Sequence, residues 1–173
     1  SAGMTLASTQ YDAPYFYKNG TGKEVRNANR NYSGWTSYRD GIRNSINIVA
    51  VKTLTDITPE VGAAYVQNFG ITTLQTQLDE NGNSDIGQAM ALGGLTKGVK
   101  NVELTAAFAT IANGGVYTKP VFYTRILDHD GNVLIDNTVS YTKTVLKDST
   151  AWLLTSAMQD VVRAGTGTRA AFS

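Results

Sequence analysis

Cysteine is absent from this chain, and its single histidine is His129. The lack of cysteine excludes disulfides, thiolate metal sites and cysteine nucleophiles, and it suits an exported bacterial protein that folds without disulfides. One histidine is too few for a zinc site built from several His or Cys ligands. A Ser-His-Asp hydrolase would need it as the base, and its predicted place in a turn argues against that role. Because His129 stands in the run Asp128-His129-Asp130-Gly131, we expect it in an exposed hairpin turn without a catalytic role.

An excess of charge and a long apolar run are also missing. The 15 Lys and Arg residues nearly balance the 14 Asp and Glu residues, so no basic face predicts a nucleic acid or an acidic membrane as a partner. No apolar run approaches the roughly 18–20 residues that span a bilayer. Residues 1–4 lack the basic and apolar regions of a signal peptide. We therefore expect this chain to contact neither nucleic acid nor membrane.

The length of 173 residues, 42% of them hydrophobic, suffices for one core and predicts one domain. A start without Met and an end in mid-pattern predict that the chain is a piece of a longer protein. We divide residues 1–173 of this single domain into a long loop region (1–36), a helical part (37–115), a hairpin region (116–147) and a last helix (148–173).

Capping residues mark the predicted helices. Ser37, with Asp40 three residues later, predicts the start of a short helix over about 38–45. Thr58-Pro59-Glu60 is a strong start, because it combines an N-cap, a proline at N1 and an acid in the first turn. The remaining predicted boundaries are N-caps at Asn47, Asn101 and Asp148 or Ser149, and helix ends at Gly70, Asn113-Gly114-Gly115 and Gly165.

Apolar spacing predicts which helix faces are buried. For the last two helices these faces are Leu104, Ala107, Phe108 and Ile111, then Leu153, Leu154, Ala157, Met158, Val161 and Val162. Two β-rich segments, 121–127 and 132–135, flank a turn and predict a hairpin. One hairpin cannot supply the sheet that these faces need, so we expect further strands in another segment of the same domain.

The triplet Ser45-Ile46-Asn47 falls at the predicted junction of two helices. A Ser-x-Asn triplet is common by chance, and its usual meaning is a helix-junction cap. Its flanks change that interpretation. The stretch from Tyr32 to Lys52 resembles the segment around the second catalytic motif of class A (bifunctional) penicillin-binding proteins, which runs as Tyr-x-Gly, a helix, Ser-x-Asn and Ala-Val-Lys.

The resemblance continues in order along essentially the whole chain. The similar blocks are Phe69-Gly70-Ile71, Ala91-Leu92-Gly93-Gly94, Lys97-Gly98-Val99, Glu103-Leu104, 106–109, 112–115, 128–131 and Arg163-Ala164-Gly165-Thr166-Gly167. It implies an α/β (α+β) transpeptidase fold of the penicillin-binding-protein and β-lactamase type, incomplete in this chain. It also implies D,D-transpeptidation of peptidoglycan and acylation by β-lactams, with no metal or organic cofactor.

In that family three motifs act together. The Ser of a Ser-x-x-Lys motif is the nucleophile and the Lys takes its proton, while a Lys-Thr-Gly motif binds the substrate carboxylate and shapes the oxyanion site. The resemblance makes Ser45 and Asn47 catalytic: Ser45 relays a proton towards the leaving-group amine. Asn47 binds the donor peptide and steadies the first-motif Lys.

Neither partner motif stands where the family has it. The only Ser-x-x-Lys is Ser140-Tyr141-Thr142-Lys143, which follows Ser45 and a β-rich stretch, and Thr166-Gly167 has no Lys before it. We therefore expect the first motif upstream of Ser1 and the third beyond Ser173. Because the nucleophile is missing, we expect this chain to be inactive by itself.

Three weaker signals remain. The run Gly20-Thr21-Gly22-Lys23 hints at a phosphate loop, but no strand precedes it and no Ser or Thr follows the Lys, which favours a surface turn. The set Asp79, Asn81, Asn83 and Asp85 resembles a shortened calcium loop without its turn Gly and terminal Glu. Aromatic residues before Ser45 either pack the loop over the core or line the cleft, with Trp35 the candidate to contact peptide or glycan.

The resemblance also implies partners and a location. The expected partners are peptidoglycan stem peptides, β-lactams and the remaining segments of the same domain. The expected location is the outer face of a bacterial cell membrane, with the anchor in a segment absent here. Two alternatives stay open: a non-catalytic wall-associated binding or scaffold module with the same fold, and an unrelated hydrolase using Ser45, for which the sequence offers no base.

Overall fold

A computed structural model describes residues 3–18 and 22–171 of the chain. Four short strands come first: β1 (Thr9–Asp12), β2 (Tyr15–Phe16), β3 (Glu24–Val25) and β4 (Gly34–Ser37). Three helices follow: α1 (Tyr38–Arg43), α2 (Asn47–Ile57) and α3 (Pro59–Asn68). After a 3₁₀ turn (Gln88–Leu92) come α4 (Asn101–Ala112), β5 (Val116–Thr118), β6 (Arg125–Leu127), β7 (Val133–Asp136), β8 (Thr142–Thr144), α5 (Asp148–Ala164) and a last 3₁₀ turn (Thr168–Ala170).

The strands form four antiparallel pairs: β1 with β4, β2 with β3, β5 with β8, and β6 with β7. The predicted hairpin is confirmed as β6–β7, although it begins only at Arg125. The stretch 1–36, predicted to be an extended loop, instead contains β1 to β3 and most of β4. These strands are two to four residues long, which is too short for an alternating pattern to stand out in the sequence. Of the predicted surface turn Gly20-Thr21-Gly22-Lys23, Gly20 and Thr21 lie outside the described residues.

The strongest predicted helix starts are confirmed. Ser37 Oγ accepts a hydrogen bond from the Asp40 amide at 3.1 Å, which caps the helix, and donates one to the Asp40 carboxylate at 2.7 Å. Thr58 Oγ1 accepts from the Val61 amide. The three asparagine or aspartate caps are wrong by one position, since the helices begin at Asn47, Asn101 and Asp148 and the cap positions are Ile46, Lys100 and Lys147.

The core of the described chain forms around helix α2. Ile48 and Val51 are fully buried and pack with Val25 of β3. Tyr15, Tyr17 and Ala91 cover this cluster from the N-terminal strands and the 3₁₀ turn. The helix that begins inside the Ser-x-Asn motif is therefore the most firmly packed element of the chain.

Helix α5 fixes helix α1, on whose end Ser45 stands. The Arg39 guanidinium pairs with the Asp160 carboxylate and donates to Ser156 Oγ at 3.2 Å. The amide of Thr166, just beyond α5, donates to the carbonyl of Arg43 at 3.2 Å. Both ends of α1 are thus held by α5 and the residues just after it, independently of the Ser-x-Asn motif.

The apolar face predicted for α4 is not buried within this chain. Leu104 is 41% and Phe108 56% exposed, whereas the buried residues of the helix are Ala106 and Thr110. The exposed side chains line an open apolar groove of about 440 Å³, whose other walls include Val66, Phe69, Ile71, Met90, Leu95 and Ile111. The prediction fails here because burial of this face needs a partner layer, and the described residues supply none. Among those same residues, no helix combines the length and the apolar character needed to cross a bilayer.

Candidate active site

Ser45 occupies the sharp corner between α1 and α2. Its amide donates to the carbonyl of Ile42 at 3.2 Å, and the Ile46 amide donates to the carbonyl of Gly41 at 2.9 Å. These two bonds form a Schellman motif, in which the residue after the C-cap adopts the left-handed conformation. Ser45 accordingly has φ 54°, at a position that usually belongs to glycine. A serine here costs conformational energy, which is typical of a side chain kept for its chemistry.

The hydroxyl of Ser45 is available to a ligand. The residue is exposed, and its Oγ makes no hydrogen bond to any residue that the structure describes. A serine hydroxyl both donates and accepts a hydrogen bond. It can therefore receive a proton from one side while it delivers another.

Asn47 is the first residue of α2, two positions after Ser45. Its side-chain Nδ2 donates to the carbonyl of Arg26 at 2.8 Å, which fixes the amide against the segment after β3. Oδ1 of Asn47 accepts no hydrogen bond from the part of the chain described here. The carboxamide thus keeps one acceptor for an ammonium or amide group of a ligand.

Ser45 and Asn47 line the same cleft. The cleft has a volume of about 660 Å³ and is open on one side. Its wall is mostly apolar and comes from α1, one face of α2 and the 3₁₀ turn, through Tyr38, Ile42, Ala50, Thr53, Leu54, Ile57 and Leu92. The motif supplies the polar edge of an otherwise apolar trough.

Two buried polar residues next to the motif escaped the sequence analysis. Asn27 is 3% and Asp12 1% exposed. Asn27 Nδ2 donates to both oxygens of Asp12 at 2.8 and 3.1 Å, and its Oδ1 accepts from the amide of Ile48 at 3.2 Å. The only available signal was the density of Asn residues after β3, which also predicts a loop.

Trp35 lies on β4 and is 74% exposed. It pairs across the ladder with Tyr11 of β1, and the ring centroids lie 5.3 Å apart at a tilt of 56°. Trp35 does not line the cleft that holds Ser45 and Asn47. Its role in substrate binding therefore stays a prediction, although its exposure shows that it is not a core residue of this chain.

The Ser-x-x-Lys run of this chain, Ser140–Lys143, differs from a nucleophile motif in its setting. Lys143 lies on β8, where Nζ donates to Oδ1 of Asn68 at 3.2 Å and sits 5.8 Å from the ring centroid of Tyr117. Ser140 precedes the strand rather than opening a helix. This geometry agrees with the interpretation of Ser140–Lys143 as a chance match.

In the shortened calcium loop, backbone amides of the loop itself bind the first carboxylate. Oδ1 of Asp79 accepts from the amides of Asn81 and Asn83 at 2.9 and 2.8 Å. Hydrogen bonding by Asn83 and Asn81 lowers the pKa of the Asp79 carboxyl. No group of three or more His, Cys, Asp or Glu side chains within residues 3–18 and 22–171 is arranged to hold a metal ion. His129 has a side chain that is 90% exposed, beside Asp130, as expected for a hairpin turn.

Charged groups near Asn47 form an exposed pair. Arg26 Nε donates to Glu24 at 2.6 Å, and the Tyr32 hydroxyl donates to the same carboxyl at 3.1 Å. The hydrogen bonds from Arg26 and then Tyr32 lower the pKa of Glu24. Since the pair lies in solvent, it contributes little to stability.

Comparison with known sequences places this geometry in a family. The family model described as "Penicillin binding protein transpeptidase domain" matches residues 1–173. The chain is 34% identical over 162 residues to penicillin-binding protein 1A of Clostridium novyi (strain NT). The matched region covers 94% of this chain and 17% of that protein. It is 38% identical over 143 residues to penicillin-binding protein 1F of Bacillus subtilis (strain 168), covering 83% of this chain and 18% of the relative. The chain thus spans under a fifth of the length of these relatives.

Solved structures agree on the fold. The PonA1 protein of Mycobacterium tuberculosis in complex with penicillin V superposes with a TM-score of 0.76 at 20% identity, over 92% of this chain and 43% of that one. Penicillin-binding protein 1A of Haemophilus influenzae gives a TM-score of 0.74 at 21% identity, over 97% of this chain and 29% of that one. The mixed α/β fold expected from the resemblance is confirmed. The chain therefore belongs to the transpeptidase domain family of class A penicillin-binding proteins.

Proposed function

We propose that this chain is the middle part of a serine-type D,D-transpeptidase domain that cross-links peptidoglycan. One observation carries the proposal: Ser45 presents a hydroxyl that no described residue binds, from a left-handed corner beside Asn47, at the polar edge of one cleft. In a chain of this family, these two groups match a proton relay and a peptide-positioning amide. No metal or organic cofactor takes part in the proposed reaction.

The reaction divides between this chain and another segment. A nucleophilic Ser outside the chain attacks the carbonyl carbon of the penultimate D-Ala, and the C–N bond to the terminal D-Ala breaks. The departing nitrogen needs a proton, which Ser45 Oγ delivers while it accepts one from the first-motif Lys. The amine of an acceptor stem peptide then attacks the acyl carbonyl, and the ester bond to the nucleophilic Ser breaks. The proton that the amine loses returns to that Ser through Ser45 and the Lys, the reverse of the first route.

Asn47 acts by position rather than by proton transfer. Its Nδ2 is engaged by the Arg26 carbonyl, so Oδ1 is the group left to bind the Lys ammonium or an amide N–H of the donor peptide. An amide suits this work because it fixes orientation without adding charge to the site. β-Lactams would acylate the same Ser because they present a carbonyl at the same place.

The apolar surfaces of the chain predict where the rest of the domain binds. The trough beside Ser45 and the groove beside Phe108 have volumes of about 660 and 440 Å³ and mostly apolar walls. Exposed apolar surface of this extent is a docking surface in a soluble protein. We assign it to the remaining segments of the same transpeptidase domain, which would include the nucleophile. The domain would act on the outer face of the cell membrane, where its substrate lies.

The test compares the isolated chain with the full-length protein that carries it. Fluorescent penicillin should label the full-length protein covalently at a Ser outside this chain, and should leave the isolated chain unlabelled after gel electrophoresis. Full-length protein that folds but takes no label would favour the non-catalytic scaffold module instead. A stable adduct on Ser45 or Ser140, located by mass spectrometry, would contradict the proposed division of roles.

A further inference from the structure

Asn27 is held so that its side-chain amide has one possible orientation. Nδ2 donates to Asp12 Oδ1 at 2.8 Å and to the carbonyl of Asn31 at 2.9 Å. Oδ1 accepts from the amide of Ile48 at 3.2 Å. Exchanging the nitrogen and oxygen would set acceptor against acceptor at Asp12 and donor against donor at Ile48. The buried amide is therefore oriented, and both its nitrogen and its oxygen are hydrogen-bonded.

The bond to Ile48 supplies a cap that helix α2 lacks. The first N–H groups of a helix have no partner within it, and an N-cap side chain usually accepts from the second or third of them. The cap residue of α2 is Ile46, whose apolar side chain cannot accept a hydrogen bond. Ile48 is the second residue of the helix, and Asn27 reaches its amide from 21 positions upstream.

The residue next to Asn27 holds the motif at a second point. The carbonyl of Arg26 accepts from Nδ2 of Asn47 at 2.8 Å. Two consecutive residues of the segment after β3 thus bind two consecutive residues at the start of α2. Asp12, the last residue of β1, joins these contacts to the residue before β4, because its Oδ2 accepts from the amide of Ser33 at 2.8 Å.

We propose that Asn27, oriented by Asp12, is a positioning residue of the transpeptidase site: it caps α2 from outside and sets where Arg26 holds the Asn47 amide. The inference rests on the proposed function. Asn27 contacts no substrate in this account and acts only through Asn47 and the start of α2. Its loss should therefore change the rate of acylation more than the stability of the domain would explain.

The first test is Asn27→Ala in the full-length protein, with Asp85→Asn as the matched control. Asp85 is also buried, at 4% exposure, and also accepts backbone bonds, but these join Gln75 and Thr96 and do not reach the motif. We expect Asn27→Ala to lower the acylation rate constant at saturating fluorescent penicillin by roughly 10- to 100-fold. Asp85→Asn should lower the melting temperature while its rate constant stays within about twofold of wild type.

The second test exchanges the two partners and remains informative where Asn27→Ala does not fold. Asn27→Asp keeps the acceptor for Ile48 but places two carboxylates against each other, so it should acylate at least about 10-fold more slowly. Adding Asp12→Asn restores a donor between positions 12 and 27 and keeps the acceptor for Ile48. The double variant should therefore acylate several-fold faster than Asn27→Asp alone, because the effects of mutations at two contacting residues are not additive.

The results separate this inference from the proposed function. Acylation of Asn27→Ala within about twofold of wild type, or an equal loss in Asp85→Asn, would overturn the positioning role. A double variant as slow as Asn27→Asp would do the same. Failure of the wild-type protein to react with penicillin would contradict the proposed function itself.

Discussion

Gly41 of α1 and Val49 of α2 are in direct contact beside the motif: a Cβ added at Gly41 would lie 2.7 Å from Cγ1 of Val49. Real Cβ atoms do not approach other carbon atoms this closely, so α1 and α2 could not keep their present separation if position 41 carried a side chain. The carbonyl of the same Gly41 accepts the Ile46 amide that closes the Ser45 corner. One glycine thus sets both the packing of the helices and the turn between them.

Gly41→Ala should therefore damage the site as well as the fold. We expect the free energy of unfolding to fall by about 1–3 kcal/mol, the usual cost of overpacking, and acylation by penicillin to slow. The control is Gly87→Ala, because a Cβ there meets nothing within 4 Å. Thermal melts and acylation rates of the full-length variants check both effects. Equal behaviour of the two alanine variants would show that the contact with Val49 is not tight.

The left-handed conformation of Ser45 predicts an unusual order of stability. Ser45→Gly should leave the melting temperature unchanged or raise the free energy of unfolding by about 1 kcal/mol or less, since glycine adopts positive φ without strain. Ser45→Ala keeps the Cβ and should be no more stable than wild type. Thermal melts of the three proteins check this order, and an alanine variant more stable than the glycine variant would contradict the corner geometry.

Trp35 offers a test of the sequence-based substrate prediction. Because the indole is 74% exposed, Trp35→Ala should cost little folding free energy, at most about 1 kcal/mol through lost contact with Tyr11. If the ring contacts peptide or glycan, acylation by a β-lactam should fall by a larger factor than this stability change explains. The melting temperature and the acylation rate of the variant distinguish the two roles. A loss of stability with unchanged acylation would assign Trp35 to packing.

Asp85 predicts a pH-dependent part of the stability. Burial alone would raise the pKa of its carboxyl, but hydrogen bonds from Thr96 and Gln75 outweigh burial and leave the pKa lowered. A lowered folded-state pKa contributes stability above the unfolded value of about 4, and this stability is lost as pH falls through the folded value. Asp85→Asn should thus cost about 1–3 kcal/mol at pH 7 and progressively less as the pH falls below the unfolded value of about 4. A cost independent of pH in denaturant melts would contradict the charged hydrogen-bonded state.

Local signals predicted the helices well because their causes are local. The capping pair of Ser37 and Asp40, and Thr58 followed by Pro59, each act within one turn of chain. Ordered blocks then identified the family from residues alone. Asn47 illustrates the limit, since it looked like a cap but its side chain bonds to Arg26 while Asn27 caps the helix.

Long-range relationships could not be predicted from one chain. Nothing in the sequence indicates that Asn27 lies against Ile48, because the contact depends on how β3 packs over α2. Burial of Leu104 and Phe108 also failed as a prediction, because an apolar stripe predicts a covered face without naming what covers it. The strands of residues 1–36 were missed since their hydrogen bonds, not their composition, define them.

The acylation rate of Ser45→Gly in the full-length protein tests the central claim most directly. This variant removes the hydroxyl at a corner where glycine is favoured, so the backbone and Asn47 should stay in place. Our account predicts a folded protein with unchanged or higher melting temperature whose acylation by fluorescent penicillin slows by roughly 100- to 10,000-fold, as loss of a proton-transfer group requires. A Ser45→Gly variant that acylates as fast as the wild-type protein would contradict the proton-relay role of Ser45.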